Sequence, residues 1–240
     1  MTTTELTANY FFSKLKIKNG FFIDVGANDG ATGSMTYPLE NDGWKGLLIE
    51  PNPVLVEKIK TIRKSPVVQT AISNVEDKLK FYIVEGPANL HGLSRLSITP
   101  EFRDHVKKHN GVIKEHIVNC SKLDTVLNNS NITNEIDFLK IDVEGHELTV
   151  LQGLDLQKFR PKIITAEDNT KDKNKEVRKY LKTKGYTVIA RSGTNNWYAT
   201  SKNTAPFLCQ RLKAEYTFLR WDLKRFIFKV FGKNFKSNHI

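Results

Sequence analysis

Two apolar runs set the pattern of the chain, and each ends in an acid and then a glycine turn. They are Phe21-Phe22-Ile23-Asp24-Val25-Gly26 and Asp137-Phe138-Leu139-Lys140-Ile141-Asp142-Val143-Glu144-Gly145. Runs of this kind, without strict alternation, suit strands buried on both faces of a parallel sheet. Similar runs predict strands over residues 46–50, 67–72 and 162–166. Helix signals fall between them. Ser34 is an N-cap candidate for a helix that ends near Asn41 and is closed by Gly43. Pro53 suits the first turn of a helix over 54–63, where Val54, Leu55, Ile59 and Ile62 keep helical spacing. A further helix starts near Gly145, and another over 175–184 stops at Gly185. Residues 1–19 read as a short helix or arm with Tyr10, Phe11, Phe12 and Leu15 available to pack.

Two features depart from simple alternation. Segments 79–84 and 112–120 alternate apolar with polar, as added strands do, and enclose a polar stretch containing His91, Ser94 and Arg95. A lid over a crevice would sit there, which makes those three side chains candidate acceptor contacts; an ordinary surface loop is the other reading. Segments 186–190 and 196–199, joined through Ser192-Gly193-Thr194-Asn195, predict a closing antiparallel hairpin. The sum is an α/β fold: a Rossmann-like, doubly wound, mostly parallel sheet with an antiparallel terminal hairpin.

Charge singles out the end of the chain. The net charge is +11, and residues 206–240 alone contribute +6, with eight basic side chains against Glu215 and Asp222. Within this tail Phe218, Leu219, Asp222, Leu223, Phe226, Ile227, Val230 and Phe231 fall on one helical stripe, apolar except for Asp222, with Arg220, Lys224, Lys229 and Lys233 largely off it. The reading is a domain over 1–205 followed by a basic amphipathic helix over 206–240. That helix would touch a membrane surface, self-associate, or dock on its own domain. Two distant cysteines, Cys120 and Cys209, give no disulfide framework or zinc site, and a reducing compartment follows by default. The first residues lack a basic stretch followed by an apolar core, so no leader is expected. The expected location is cytoplasmic, with a peripheral membrane contact left open.

The first glycine turn narrows the ligand. Gly26 and Gly30 do not form the dinucleotide pattern, and no P-loop lysine follows a strand. Asp24 and Asp29 put negative charge where a pyrophosphate would lie, so a cationic ligand such as S-adenosylmethionine fits better. Glu50, at the end of the second strand, could accept both ribose hydroxyls. The alternative is that Asp24 and Glu50 only cap strand ends.

The segments Phe22 to Gly30, Gly46-Leu47-Leu48-Ile49-Glu50-Pro51-Asn52-Pro53, Ala71-Ile72-Ser73-Asn74 and Ile136 to Glu147 resemble the FkbM family of methyltransferases, in the family's order and over roughly residues 20–200. The resemblance implies a class I methyltransferase fold, an S-adenosylmethionine donor, and transfer to a hydroxyl, often of a sugar or polyketide. Asp24, Gly26, Asn28, Gly30, Glu50, Ser73 and Asp142 are then the expected donor-binding residues. Asp142, Glu144 and His146 are expected on the acceptor side as catalytic candidates.

A hydroxyl is a poor methyl acceptor until its proton leaves, so a base or a metal has to help. His146 or Asp142 is the candidate base. Asp142 with Glu167 or Asp168 is a candidate oxygen set for a divalent cation such as magnesium. Glu144 and Glu147 could instead serve as acids at a helix start, and Lys140 could pair with a carboxylate. Two rivals remain. RNA ribose 2'-O-methylation needs basic and aromatic residues beside the crevice, whereas the charge excess lies in the tail, so a nucleic-acid partner is not expected. A non-catalytic donor-binding module held by its tail predicts binding without turnover.

Overall fold

The computed structural model describes residues 3–87, 90–133, 135–173 and 175–231. The start Met1-Thr2, Asn89, and tail lysines Lys233 and Lys236 fall outside them. Helix α1 (Thr3–Lys14) leads to β1 (Phe21–Val25), α2 (Thr36–Asn41), β2 (Lys45–Ile49), α3 (Pro53–Ile62) and the short β3 (Val67–Val68). The interruption consists of β4 (Ala71–Ser73), β5 (Asp77–Glu85), α4 (Pro100–Lys108) and β6 (Val112–Lys122). Alternation resumes with α5 (Leu123–Asn129), β7 (Phe138–Ile141), α6 (Glu147–Gln152), β8 (Ile163–Glu167) and α7 (Glu176–Thr183). The chain closes with β9 (Tyr186–Ser192), β10 (Asn195–Thr200) and α8 (Leu208–Phe231).

The main sheet has the order β3-β2-β1-β7-β8-β10-β9. Strands β3, β2, β1, β7 and β8 run parallel. Successive residues of each central strand serve opposite faces, and both faces are covered. Phe22, Leu48, Phe138 and Trp197 pack under α1, α2 and α3, where Phe11 stacks on Trp197 at 4.3 Å between ring centres. Ile23, Leu139, Ile164 and Tyr198 pack under α5, α6, α7 and α8. Burial of each such side chain is worth about 1.5–3 kcal/mol. The aromatic cluster of α1 was legible in the sequence.

Two expectations are corrected. The strand expected over 67–72 is two strands in two sheets. Val67–Val68 pairs with β2, whereas Ala71–Ser73 pairs with β6 in a second sheet of order β4-β6-β5. The break falls at Gln69-Thr70, where the Thr70 hydroxyl donates to the Asn119 carbonyl at 3.0 Å and ties the chain to β6. The closing hairpin is antiparallel as expected, and its second strand, β10, inserts between β8 and β9. A two-residue turn, with Gly193 at φ +58° in its first position, permits the fold-back. Ser34 precedes α2 by two residues, yet its hydroxyl accepts from Thr36 and Tyr37 N–H groups as a cap does.

The tail docks, but through only one edge of the expected stripe. Phe207, Ala214 and Phe218 are buried in the domain. Asp222 accepts from Lys175 at 2.6 Å, and Arg225 donates to the Lys171 carbonyl at 2.9 Å. Leu219, Leu223 and Phe226 stay exposed. The sequence stripe merged two neighbouring faces of one helix, of which only the Phe218 side meets the domain. Among the described residues no helix is long and apolar enough to cross a membrane.

Candidate active site

The strand order reverses between β1 and β7, and a crevice outside the carboxyl ends of the strands is where an open α/β sheet binds ligands. The two acid-tipped runs of the sequence end there, side by side. The Asp142 N–H donates to the Val25 carbonyl at 3.0 Å. Gly26 lies so close that an added Cβ would stand 1.8 Å from the Asp142 carbonyl oxygen, and its φ of +79° excludes other residues a second time. Lys140 locks this junction. Its buried ammonium donates to the Gly26 carbonyl at 2.7 Å and pairs with Asp24 at 3.1 Å and Asp142 at 3.5 Å. Burial alone would lower the Lys140 pKa, but Asp24 and Asp142 hold it well above the usual lysine range. Asp24 is almost fully buried and also accepts the Thr36 hydroxyl at 2.5 Å.

A cleft opens over this junction. Asp24, Gly26, Asn28, Glu50 and Asp142 all line it, as the sequence predicts. Glu50 accepts from the Asn28 and Asn52 N–H groups, both at 2.9 Å, which leaves a lone pair on each oxygen for further donors. Burial pushes its carboxyl up to about 7 despite these two hydrogen bonds. Asn28 is held at φ +52° beside it, a left-handed conformation that costs energy and recurs at ligand sites. The second sheet forms a wall through Thr70, Ala71, Ile72 and Phe81, and His91 and Gly92 of the insertion close over Asn28. Among the described residues, Asn28 Oδ1 and His91 Nε2 are buried without a partner.

Two expected donor contacts do not line this cleft. Ser73 is buried beside Asn74, so its neighbours Thr70–Ile72 meet the cleft instead. Gly30 packs on Ile59 and Arg63 and gives its carbonyl to Arg63 at 2.9 Å. Asp29 is committed to its own turn, accepting from Ala31, Thr32 and Lys58.

A second cleft adjoins the first, and Glu144 and Glu167 line both. Asp142, Glu144 and Glu167 each bring one carboxylate oxygen within 4.8 Å of the others. Burial, then the nearby Asp142 and Glu144, raise the Glu167 carboxyl to about 8. Burial raises Glu144 to about 7, with Arg95 opposing and Asp142 adding to the rise. Glu144 takes φ +56° to point inward, followed by Gly145 at +102°. The carboxylate of Glu147 instead closes the turn by accepting from Gly145 at 3.0 Å.

The remaining candidates sort themselves around this trio. Arg95 reaches from the insertion to Glu144 at 2.5 Å and lies 4.0 Å above the Phe102 ring. The Ser94 hydroxyl lines the first cleft but serves its own turn, donating to the His91 carbonyl and accepting from Val84. His146 lines neither cleft; burial, then Arg95, lower its pKa, and its Nδ1 has no partner among the described residues. Asp168 is not part of the trio, since it accepts from Thr170 and Asp172 and pairs with Arg191 at 3.2 Å. The carboxylates that come together are thus Asp142, Glu144 and Glu167, and Asp168 of the candidate cation ligands stands apart from them.

Comparison with known proteins bears on this arrangement. The profile of the family described as Methyltransferase FkbM domain matches residues 24–188, well over half of the chain. No curated protein matches. Among solved structures, the chain is similar to precorrin-6y C5,15-methyltransferase from Geobacter metallireducens GS-15. The identity is 13% over 82% of this chain and 87% of that one, with a TM-score of 0.42. It is also similar to a TehB-like SAM-dependent methyltransferase from Corynebacterium glutamicum ATCC 13032 Kitasato. There the identity is 9%, the coverage 81% and 87%, and the TM-score 0.42. At those scores the structural likenesses carry no argument, whereas the profile match runs from the acid at the end of β1 through the insertion and the second acid-tipped strand.

Proposed function

The chain belongs to the FkbM methyltransferase family, and from that premise we propose that it methylates a hydroxyl, one belonging to a sugar or glycan. The first cleft suits the S-adenosylmethionine that the family uses. Gly26 leaves room that a Cβ would fill, Glu50 offers free lone pairs, and Asn28 and His91 present unpartnered polar atoms. Bound there, the donor supplies an electrophilic methyl group on a sulfonium. Glu50 would accept its ribose hydroxyls, and the Asp24–Lys140–Asp142 junction would hold the Gly26 turn against it.

One observation carries the acceptor assignment: Glu144 and Glu167 stand where the two clefts meet. A hydroxyl lying in the second cleft would reach these carboxylates and the donor cleft together. Glu167 is the base best placed to take its proton, and a carboxyl raised toward neutrality matches that task. Asn169 and Asn196 line the same cleft, and their amides suit a polyhydroxyl acceptor. An acid-lined cleft is a poor seat for a phosphate backbone, which counts against RNA. Arg95 and Lys140 already meet Glu144 and Asp142, which favours proton transfer over a divalent cation in the trio.

Cys120 and Cys209 are free thiols, in keeping with a cytoplasmic location. The test is transfer of labelled methyl to a panel of glycans and polyols, with the linkage identified by its stability to base. A base-stable ether supports the reading. Label on nitrogen, or tight donor binding with no turnover, would overturn it. Activity abolished by a chelator and restored by magnesium would give the trio a metal-binding role.

A further inference from the structure

Helix α8 presents two faces with different fates. Ala214, Phe218 and Trp221 face the domain, and the Lys175–Asp222 and Arg225–Lys171 contacts fix that orientation. The opposite face carries Leu208, Leu212, Tyr216, Leu219, Leu223 and Phe226, each between 51% and 65% exposed. Steps of three and four residues return to one side of an α-helix, so these six form one continuous apolar stripe. Docking prevents the helix from rolling to hide it. One border of the stripe is wholly basic, with Lys213, Arg220 and Lys224 following one another along it. On the other border the acids are already paired, since Arg211 meets Glu215 at 2.9 Å and Asp222 is held by Lys175 and Arg225, and Lys229 adds a further cation.

We propose that this face of α8 lies on an anionic phospholipid surface, with the leucines and Phe226 entering the acyl boundary and the basic border meeting lipid phosphates. A helix pinned along one side with an apolar stripe on the other, edged by cations, is the arrangement an interfacial helix needs. Pairing with a second copy is disfavoured by the same charges. An antiparallel partner would set basic border against basic border, and the acids a parallel partner could offer are already taken.

The test uses the full chain and does not depend on methyl transfer. The protein is sedimented with phosphatidylcholine vesicles with and without phosphatidylserine. It is expected to pellet only with the anionic vesicles. Neutralising Lys213, Arg220 and Lys224 to glutamine should lower the partition coefficient about a hundredfold, each cation near such a surface contributing about fivefold. The pair Leu219→Gln and Phe226→Gln should abolish pelleting while the urea unfolding midpoint stays in place, since both side chains are exposed. No pelleting by the unmutated protein, or pelleting that neither variant weakens, overturns the proposal. So does a dimer in sedimentation velocity that the Leu219→Gln/Phe226→Gln variant dissolves, which would assign the face to a second copy.

Discussion

Replacing Lys140 with methionine should cost the fold about 3–5 kcal/mol. The estimate follows from what the ammonium touches. Asp24 has a side chain only 2% exposed and loses the cation 3.1 Å away, which leaves a buried carboxylate uncompensated. The Gly26 carbonyl loses its 2.7 Å donor, a smaller term of about 1 kcal/mol. Asp142, with a side chain 37% exposed, loses a 3.5 Å partner that water largely replaces. Removing the orphaned charge should therefore recover much of the loss, so Lys140→Met/Asp24→Asn should be more stable than Lys140→Met alone. Urea unfolding followed by the fluorescence of buried Trp44 and Trp197 measures all four members of the cycle. A single-variant cost below about 1 kcal/mol would refute the reasoning. So would a double variant as unstable as the two single costs added together.

Other outcomes follow from the same geometry. Gly26→Ala forces a Cβ into the Asp142 carbonyl at a positive φ; donor binding should be lost in calorimetry and stability should fall by at least about 2 kcal/mol. Glu50→Gln keeps the shape of the site but weakens its acceptor strength, and donor affinity should drop about tenfold or more, equivalent to about 1.4 kcal/mol. Glu167 titrates higher when folded than when unfolded, so its contribution is fully present below its ordinary pKa of 4.5 and is lost as pH rises toward about 8. The ligand-free protein should thus lose stability between those limits, and Glu167→Gln should flatten that slope by about 1–3 kcal/mol in urea titrations at the two ends.

What the sequence made legible is what local pattern encodes. Phe21–Val25 and Phe138–Ile141 are apolar throughout because both faces of the sheet are covered, and the acids and glycine after them mark the crevice directly. Lys140 was readable as a cation among apolar residues that needed a carboxylate, and it has two. Contacts between distant segments were hidden. The apolar run over 67–72 looks continuous until Thr70 bonds to Asn119, a partner set by β6 and not by the run itself. Ser73 follows Ala71 and Ile72 into that second sheet, which takes it away from the cleft. Glu167 stood out only as a metal ligand, since its rise comes from Asp142 and Glu144 crossing from the neighbouring strand end. His146 attracted attention as a histidine near acids, but α6 starts in a way that leaves it outside both clefts. For α8, periodicity showed that a helix would form. Which stripe would meet the domain depended on Lys175 and Lys171, far away in sequence.

Single-turnover methyl transfer by Glu167→Gln, set beside its donor affinity, tests the join between the two clefts most directly. The rate should fall by about 10²–10⁴ while donor affinity stays within about twofold, and the rise of rate with pH toward 8 should disappear. A variant that turns over at the unmutated rate with the same pH profile would contradict the account.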